Sequence, residues 1–95
     1  YGLSKAALNS LTRGLSRRFY KKGFRINAIA PGITASEMTG RSATENLFAN
    51  ELSSGRFFIA EEVAEIVAFI LSDASKCISG EIIACDAGNY IGSYF

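Results

Sequence analysis

The sequence predicts an α/β chain whose strands run parallel and buried, on three observations. A helical apolar repeat from Gly2 to about Lys22 passes almost at once into a short β-favouring run, Phe24 to Ala30. Pro31-Gly32 closes that run. A second helical pattern, Glu61 to Leu71, leads to a second apolar run, Ile82 to Cys85. Helix followed by strand, twice over, is the order of α/β units, whose strands lie parallel with both faces covered.

In the first helix Leu3, Ala7, Leu11, Leu15 and Phe19 recur every four residues, and Ala6, Leu8 and Thr12 widen the stripe. Asn9, Ser10, Arg13, Arg17 and Lys21 take the other side. The stripe is expected to pack in the core, and could equally meet another subunit. Gly23, after the cationic turn Arg17, Arg18, Lys21 and Lys22, reads as the stop. At the head of this run Tyr1 and Lys5 stand four residues apart, one helical turn from each other on one face. A free phenol titrates near pH ~10, and lowering that value by one unit takes about 1.4 kcal/mol. An ammonium one turn away favours the phenolate and supplies part of the shift. The pair is therefore a candidate general acid/base; a half-buried tyrosine beside a surface lysine is the plain alternative.

Phe24 to Ala30 reads as a strand. In open α/β sheets ligands bind just beyond the carboxyl ends of strands, which makes Pro31 to Met38 the place for a site. Proline fixes one φ angle and glycine admits close approach of the backbone. Ile33, Thr34, Ala35 and Ser36 offer backbone donors and acceptors there, with two hydroxyls. A plain turn is the competing reading. Thr39 to Phe58 is weakly organised: a helical turn or two around Thr44 to Leu52, in a segment that suits a substrate-contacting loop or a packed surface loop.

Val63, Ile66, Val67, Ile70 and Leu71 follow the helical template, with Glu61, Glu62 and Glu65 in the early turns where the helix dipole favours negative charge. So broad an apolar face predicts burial against a sheet. Ser72 to Ser75 turns the chain, Ser79-Gly80-Glu81 leads into Ile82 to Cys85, and Asp86-Ala87-Gly88-Asn89 ends that strand. The tail, Tyr90 to Phe95, is aromatic and uncharged.

The chain has 95 residues, so one domain at most, with 48% apolar and 20% charged residues, a globular balance. A net charge of +1 gives no electrostatic case for nucleic acid or an anionic membrane. Cys77 and Cys85 stand far apart in a chain without histidine, which argues against a Cys/His metal centre. Buried free thiols in a reducing, cytoplasmic compartment are expected. No apolar run reaches membrane-spanning length. A chain that opens in mid-pattern on Tyr1 is expected to be a piece of something longer.

Several motifs now stand in fixed order: Tyr1-x-x-Ser4-Lys5-Ala6-Ala7; Arg25-Ile26-Asn27-Ala28-Ile29-Ala30-Pro31-Gly32; Glu61-Glu62-Val63-Ala64 with Phe69 and Ser72-Asp73; and Ser79-Gly80-Glu81. Together they resemble the C-terminal part of the short-chain dehydrogenase/reductase family, especially members similar to β-ketoacyl-carrier-protein reductases. The resemblance covers essentially the whole chain. It implies the C-terminal portion of a doubly wound, Rossmann-like parallel sheet with flanking helices, its upstream half absent.

By that resemblance the parent is an oxidoreductase that uses NAD or NADP and moves hydride between nicotinamide and a small carbonyl or alcohol substrate. Tyr1 would be the general acid/base. Lys5 would hold the nicotinamide ribose and lower the Tyr1 pKa. Pro31 and Gly32 would shape the loop beside the nicotinamide, the backbone at Ile33 and Thr34 would meet the carboxamide, and Ser36 would stand in for the family's usual threonine. Ala87 replaces a glycine common in the family, which puts the local turn in question. The family's Gly-rich first turn, its substrate-polarising serine and the residue that separates NAD from NADP have no counterpart in these residues. The chain alone is therefore expected to be inactive, and the parent to be a homo-oligomer, dimer or tetramer. The alternative is a non-catalytic pseudoenzyme or oligomerisation module that keeps the fold.

Overall fold

The computed structural model describes residues 2–32, 34, 52 and 54–89. Its elements are α1 (Gly2–Phe19), a 3-10 turn (Tyr20–Lys22), β1 (Ala28–Pro31), α2 (Ala60–Leu71), a second 3-10 turn (Asp73–Ser75) and β2 (Ile82–Cys85). β1 and β2 pair in a two-stranded sheet. The Gly80 N–H donates to Ile26 O at 2.7 Å and the Ala28 N–H to Glu81 O at 2.8 Å. Both partners' numbers rise together, so the pairing is parallel. The chain forms two compact units, residues 1–29 with 68–83, and residues 30–67 with 84–95.

In the first unit α1 ends as its sequence predicts. Gly23 takes a left-handed φ of 87°. Its N–H donates to Tyr20 O at 3.0 Å, and the Phe24 N–H reaches back to Phe19 O at 3.2 Å. These two bonds form a Schellman motif, which satisfies carbonyls that the helix end leaves without partners. Its usual apolar contact is present: the Phe19 and Phe24 rings meet edge to face, centroids 6.4 Å apart.

The buried edge of α1 differs from the predicted leucine stripe. Leu3 is 87% exposed, Leu8 52% and Leu11 54%, whereas Thr12 (5%) and Ser16 (7%) are buried. Asn9, predicted on the polar side, is half-buried on this same line, as are Leu15 and Phe19. Two facts explain it. The hydroxyls of Thr12 and Ser16 donate to carbonyls of their own helix, Leu8 O at 2.8 Å and Arg13 O at 3.2 Å, which removes the cost of burying them. Ser16 also packs where a Cβ on Gly80 would have to stand. Gly80 itself has a φ of 83°. Close approach at that point favours a small residue on the helix.

β1 is shorter than the predicted Phe24 to Ala30 and starts at Ala28. Before it, side chains add to the one backbone bond from Gly80 to Ile26. The Ile26 N–H donates to Ser79 Oγ at 3.2 Å, Asn27 Nδ2 donates to Ile78 O at 3.0 Å, and Asn27 Oδ1 accepts the Glu81 N–H at 3.0 Å. Arg25 reaches further. Its Nη2 donates to Ile70 O (2.9 Å) and Ser72 O (3.1 Å), and its Nη1 to Ser75 O (2.9 Å), Ser75 Oγ (3.1 Å) and Ile78 O (3.2 Å). The guanidinium thus caps the carbonyl end of α2, where the helix dipole favours a cation. Ile70 and Ser75 beside it are buried, at 8% and 1% exposed.

In the second unit Phe57 is buried (2% exposed), and Phe58 forms an isolated parallel bridge with Thr34. α2 matches its predicted span within one residue, but its apolar face is only partly covered by the described residues. Val63 and Ile66 are half-buried, while Val67 (38%), Phe69 (48%) and Leu71 (77%) are exposed. β2 matches its prediction. The helical turns expected around Thr44 to Leu52, and the aromatic tail from Tyr90, lie outside the described residues apart from Leu52.

Gly80 and Gly14 give a paired test. Gly80→Ala places a methyl against Ser16 at a positive φ and is expected to cost about 2–4 kcal/mol of unfolding free energy. Gly14→Ala, where a Cβ meets nothing within 4 Å, is expected to stabilise α1 by about 0.5–1 kcal/mol. Denaturant unfolding of both variants checks the two signs.

Candidate functional site

The strand-end loop that the sequence singles out is held on three sides. Pro31, exposed, is the last residue of β1. The next residue, Gly32, donates its N–H to Cys85 O at 3.0 Å and so continues the pairing one step past the strand. A Cβ on Gly32 would lie 2.9 Å from Phe58 Cε2 and 3.0 Å from Asp86 Cα. The glycine is therefore required by the chain's own packing, and its N–H is committed to the sheet. Thr34 folds back, its hydroxyl donating to Gly32 O at 2.9 Å. The bridge to Phe58 fixes its backbone.

Behind this loop, residues 54–62 form a brace. Both Arg56 terminal nitrogens donate to the Glu62 carboxylate, at 2.7 Å and 2.5 Å. Glu62 Oε1 also accepts the Ile59 N–H at 3.0 Å. This is the returning half of a capping box: a glutamate in the first turn of α2 satisfies the N–H just before the helix. The same contacts, the Arg56 hydrogen bond first and the Ile59 N–H second, hold the Glu62 carboxyl down to about 2. Arg56 is raised by the same partner.

Beyond β2, Asp86 Oδ1 accepts the Gly88 N–H at 3.0 Å and Asp86 O accepts the Asn89 N–H at 3.1 Å. The turn carries Ala87 through a φ of 54°. Left-handed backbone costs a non-glycine residue roughly 1–2 kcal/mol, so the alanine at this position is tolerated at the expense of local strain. Burial, and then the Asp86 charge, raise the Cys85 thiol. An open cleft of about 350 Å³ lies here, floored by Phe58, Val63, Ile66 and Cys85 and edged by the carboxylates of Glu62 and Glu65.

Of the residues predicted for a site, Pro31, Gly32 and Thr34 come together in the second unit, with Phe58 and Asp86 against them. Lys5 lies exposed on α1 in the first unit. Tyr1, Ile33 and Ser36 lie outside the described residues. Sequence reading passed over Phe58, Arg56 and Asp86. The available signals were the β-favouring run Phe57-Phe58-Ile59 after Gly55 and a glutamate three residues beyond Ile59. Among the described residues no cluster of three or more His, Cys, Asp or Glu is placed to hold a metal, and no helix is long and apolar enough to cross a membrane.

A glycine loop off the carboxyl end of a parallel strand stands where open α/β sheets place their ligands. The family model described as enoyl-(acyl carrier protein) reductase matches residues 1–89. A 3-oxoacyl-(acyl-carrier-protein) reductase of Pseudomonas aeruginosa is 31% identical over 93 residues, 96% of this chain and 38% of the relative. The crystal structure of a short chain dehydrogenase from Bacillus anthracis superposes with a TM-score of 0.78 at 30% identity, over 93% of this chain and 35% of that one. A 4-hydroxyisoleucine dehydrogenase complexed with NADH superposes with a TM-score of 0.78 at 26% identity, over 95% and 39%. The chain belongs to the short-chain dehydrogenase/reductase family and is similar to its ketoacyl-carrier-protein reductases. Its fold is the α/β, Rossmann-type fold of those structures. It spans roughly a third of the length of the curated relatives it matches, 32% to 38% in the first three.

The Glu62 contacts set a pH dependence. Because its carboxyl titrates at about 2 in the folded chain, below the ordinary value of 4.5, the stabilisation is present above the unfolded value and is lost as pH falls through the folded one. The gap in melting temperature between the native chain and Glu62→Gln should therefore close as pH falls from about 4.5 to about 2. A gap that stays constant across that window contradicts the assignment.

Proposed function

We propose that residues 1–95 are the C-terminal portion of a single Rossmann-like dehydrogenase domain. The full-length protein moves hydride between NAD or NADP and a small carbonyl or alcohol substrate. The observation that carries this is the family match over residues 1–89, which takes in the Tyr1/Lys5 pair and the strand-end loop together. The NADH held by the similar 4-hydroxyisoleucine dehydrogenase supports a nicotinamide dinucleotide. Two features, each taken within its own unit, are compatible with the nicotinamide half of such a ligand: the ammonium of Lys5 is exposed, and the tight turn at Gly32 leaves Pro31 exposed. Nothing in the sequence supplies the pyrophosphate half, so the chain alone is expected to bind weakly and to be inactive.

When bound, the nicotinamide supplies or accepts the hydride. Tyr1 gives the proton from its Oη to the substrate carbonyl oxygen, or takes one from the alcohol. Lys5 would hold the ribose hydroxyls through Nζ, and its charge would favour the Tyr1 phenolate, which a free phenol reaches only near pH ~10. By the family resemblance Pro31, Gly32, Ile33 and Thr34 would line the nicotinamide, and Ser36 would offer a hydroxyl. Gly32 contributes shape and not a donor, since its N–H is held by Cys85. The protein works in the cytoplasm as a homo-oligomer, dimer or tetramer.

The exposed row Leu3, Leu8 and Leu11 on α1 favours a second reading, a non-catalytic subunit that keeps the fold for association. One experiment separates the two. In the full-length protein Tyr1→Phe should lower kcat for carbonyl reduction by about 10²–10⁴, the worth of a general acid/base, without changing the melting temperature. Unchanged turnover in Tyr1→Phe overturns the catalytic role.

A further inference from the structure

Arg56 and Glu62 have no part in the chemistry proposed above, yet a chain of contacts joins them to the strand-end loop. The bidentate pair and the Ile59 N–H on Glu62 Oε1 tie residues 56 to 59 through one carboxylate. A second hold comes from Ser54, whose Oγ donates to Arg56 O at 2.6 Å. The Arg56 guanidinium carbon stands 5.3 Å from the centroid of the Phe58 ring, within cation–π range. The edge of that ring fills the space a Cβ on Gly32 would need. The Phe58 backbone carries the bridge to Thr34.

Stability alone gives the pair little purpose. Its side chains are 52% and 36% exposed, and exposed pairs contribute little to folding. What a bidentate guanidinium–carboxylate contact does supply is orientation, because two parallel bonds fix the plane of both groups. Here the oriented plane lies over the Phe58 ring that backs Gly32. The bridge of Thr34 with Phe58 also joins the two ends of the 34–58 excursion. A brace at Phe58 therefore holds the loop's exit and the excursion's return together.

We infer that Arg56, held by Glu62, is a positioning residue for the Gly32–Thr34 loop, and that it thereby tunes how well the loop meets the nicotinamide end of a dinucleotide. The positioning claim stands on the contacts above; its extension to the ligand rests on the cofactor proposed for this protein.

The test uses Arg56→Ala, Arg56→Lys and the reversal Arg56→Glu with Glu62→Arg in the full-length protein. Two readouts are taken, amide hydrogen exchange without ligand and the Kd for NADH and for NADPH. Arg56→Ala should speed exchange at Thr34, Phe58 and Ile59 about two- to fivefold, the scale of an exposed pair, with Ile82 and Ile83 unchanged. Kd for the preferred dinucleotide should rise by a similar factor. Arg56→Lys, a point charge without the fork, should recover only part of either effect, and the charge reversal, which keeps an ion pair but leaves the Ile59 N–H without its carboxylate and the Phe58 ring without a cation, should recover neither. Unchanged exchange at Thr34, or equal acceleration at Ile82 and Ile83, overturns the positioning role. Faster exchange at Thr34 with unchanged Kd overturns the extension to the ligand. If the native protein binds neither dinucleotide, the cofactor proposal fails, and exchange at Thr34 still decides whether Arg56 positions the loop.

Discussion

One guanidinium holds the first unit together. Arg25 stands just before β1, half-buried, and reaches five acceptors, all of them uncharged oxygens on residues 70 to 78. A cation in such a place has to be compensated for lost water. The carbonyl end of α2 does so, since that end of a helix carries partial negative charge and has orphan acceptors to satisfy. The need is mutual. Each of those carbonyls that stayed buried without a donor would cost about 1–3 kcal/mol. Asn27 extends the clamp by two residues, with its amide spanning Ile78 O and the Glu81 N–H. Ahead of Ala28 these side chains and the backbone bond from Gly80 to Ile26 together set the register in this unit.

In the second unit register matters for a different reason. A parallel strand displaced by one residue turns every side chain to the other face. The Gly32 N–H falls on Cys85 O, and the position without a side chain falls where Phe58 and Asp86 crowd the backbone. Glycine is needed there for reasons internal to the chain. That bears on the role proposed for it beside a nicotinamide: the backbone there is shaped by Phe58 and Asp86 packed behind it.

How much of this could be read in the sequence depended on how local its cause was. The end of α1 was legible because its stop signal, Gly23 after a cationic turn, acts within four residues. α2 and β2 were legible for the same reason, as periodic runs between turn residues. Arg25 was visible only as a motif letter, since its acceptors lie 45 to 53 residues away. The buried edge of α1 was misjudged because helical periodicity weighs leucine over serine. A hydroxyl that bonds its own helix and backs onto a left-handed glycine obeys a different rule. At the loop, Pro31-Gly32 announced itself through composition. Phe58 did not, because a single bridge leaves no period to detect. Ala87 was rightly questioned from the sequence: the turn does need the left-handed backbone that glycine adopts freely.

The chemistry proposed for the protein draws on three places in the chain. Gly32 and Thr34 are tied to their surroundings by hydrogen bonds and contacts, Lys5 is exposed on its helix, and Tyr1 enters through the motif it shares with the family. The most direct measurement is a crystal structure of the full-length protein with NADH or NADPH. The account predicts Lys5 Nζ within hydrogen-bond distance, about 3 Å, of the ribose hydroxyls, with the nicotinamide against the Pro31–Thr34 loop and Tyr1 Oη facing the substrate position. A dinucleotide seated away from that loop, with Lys5 turned to solvent, would contradict it.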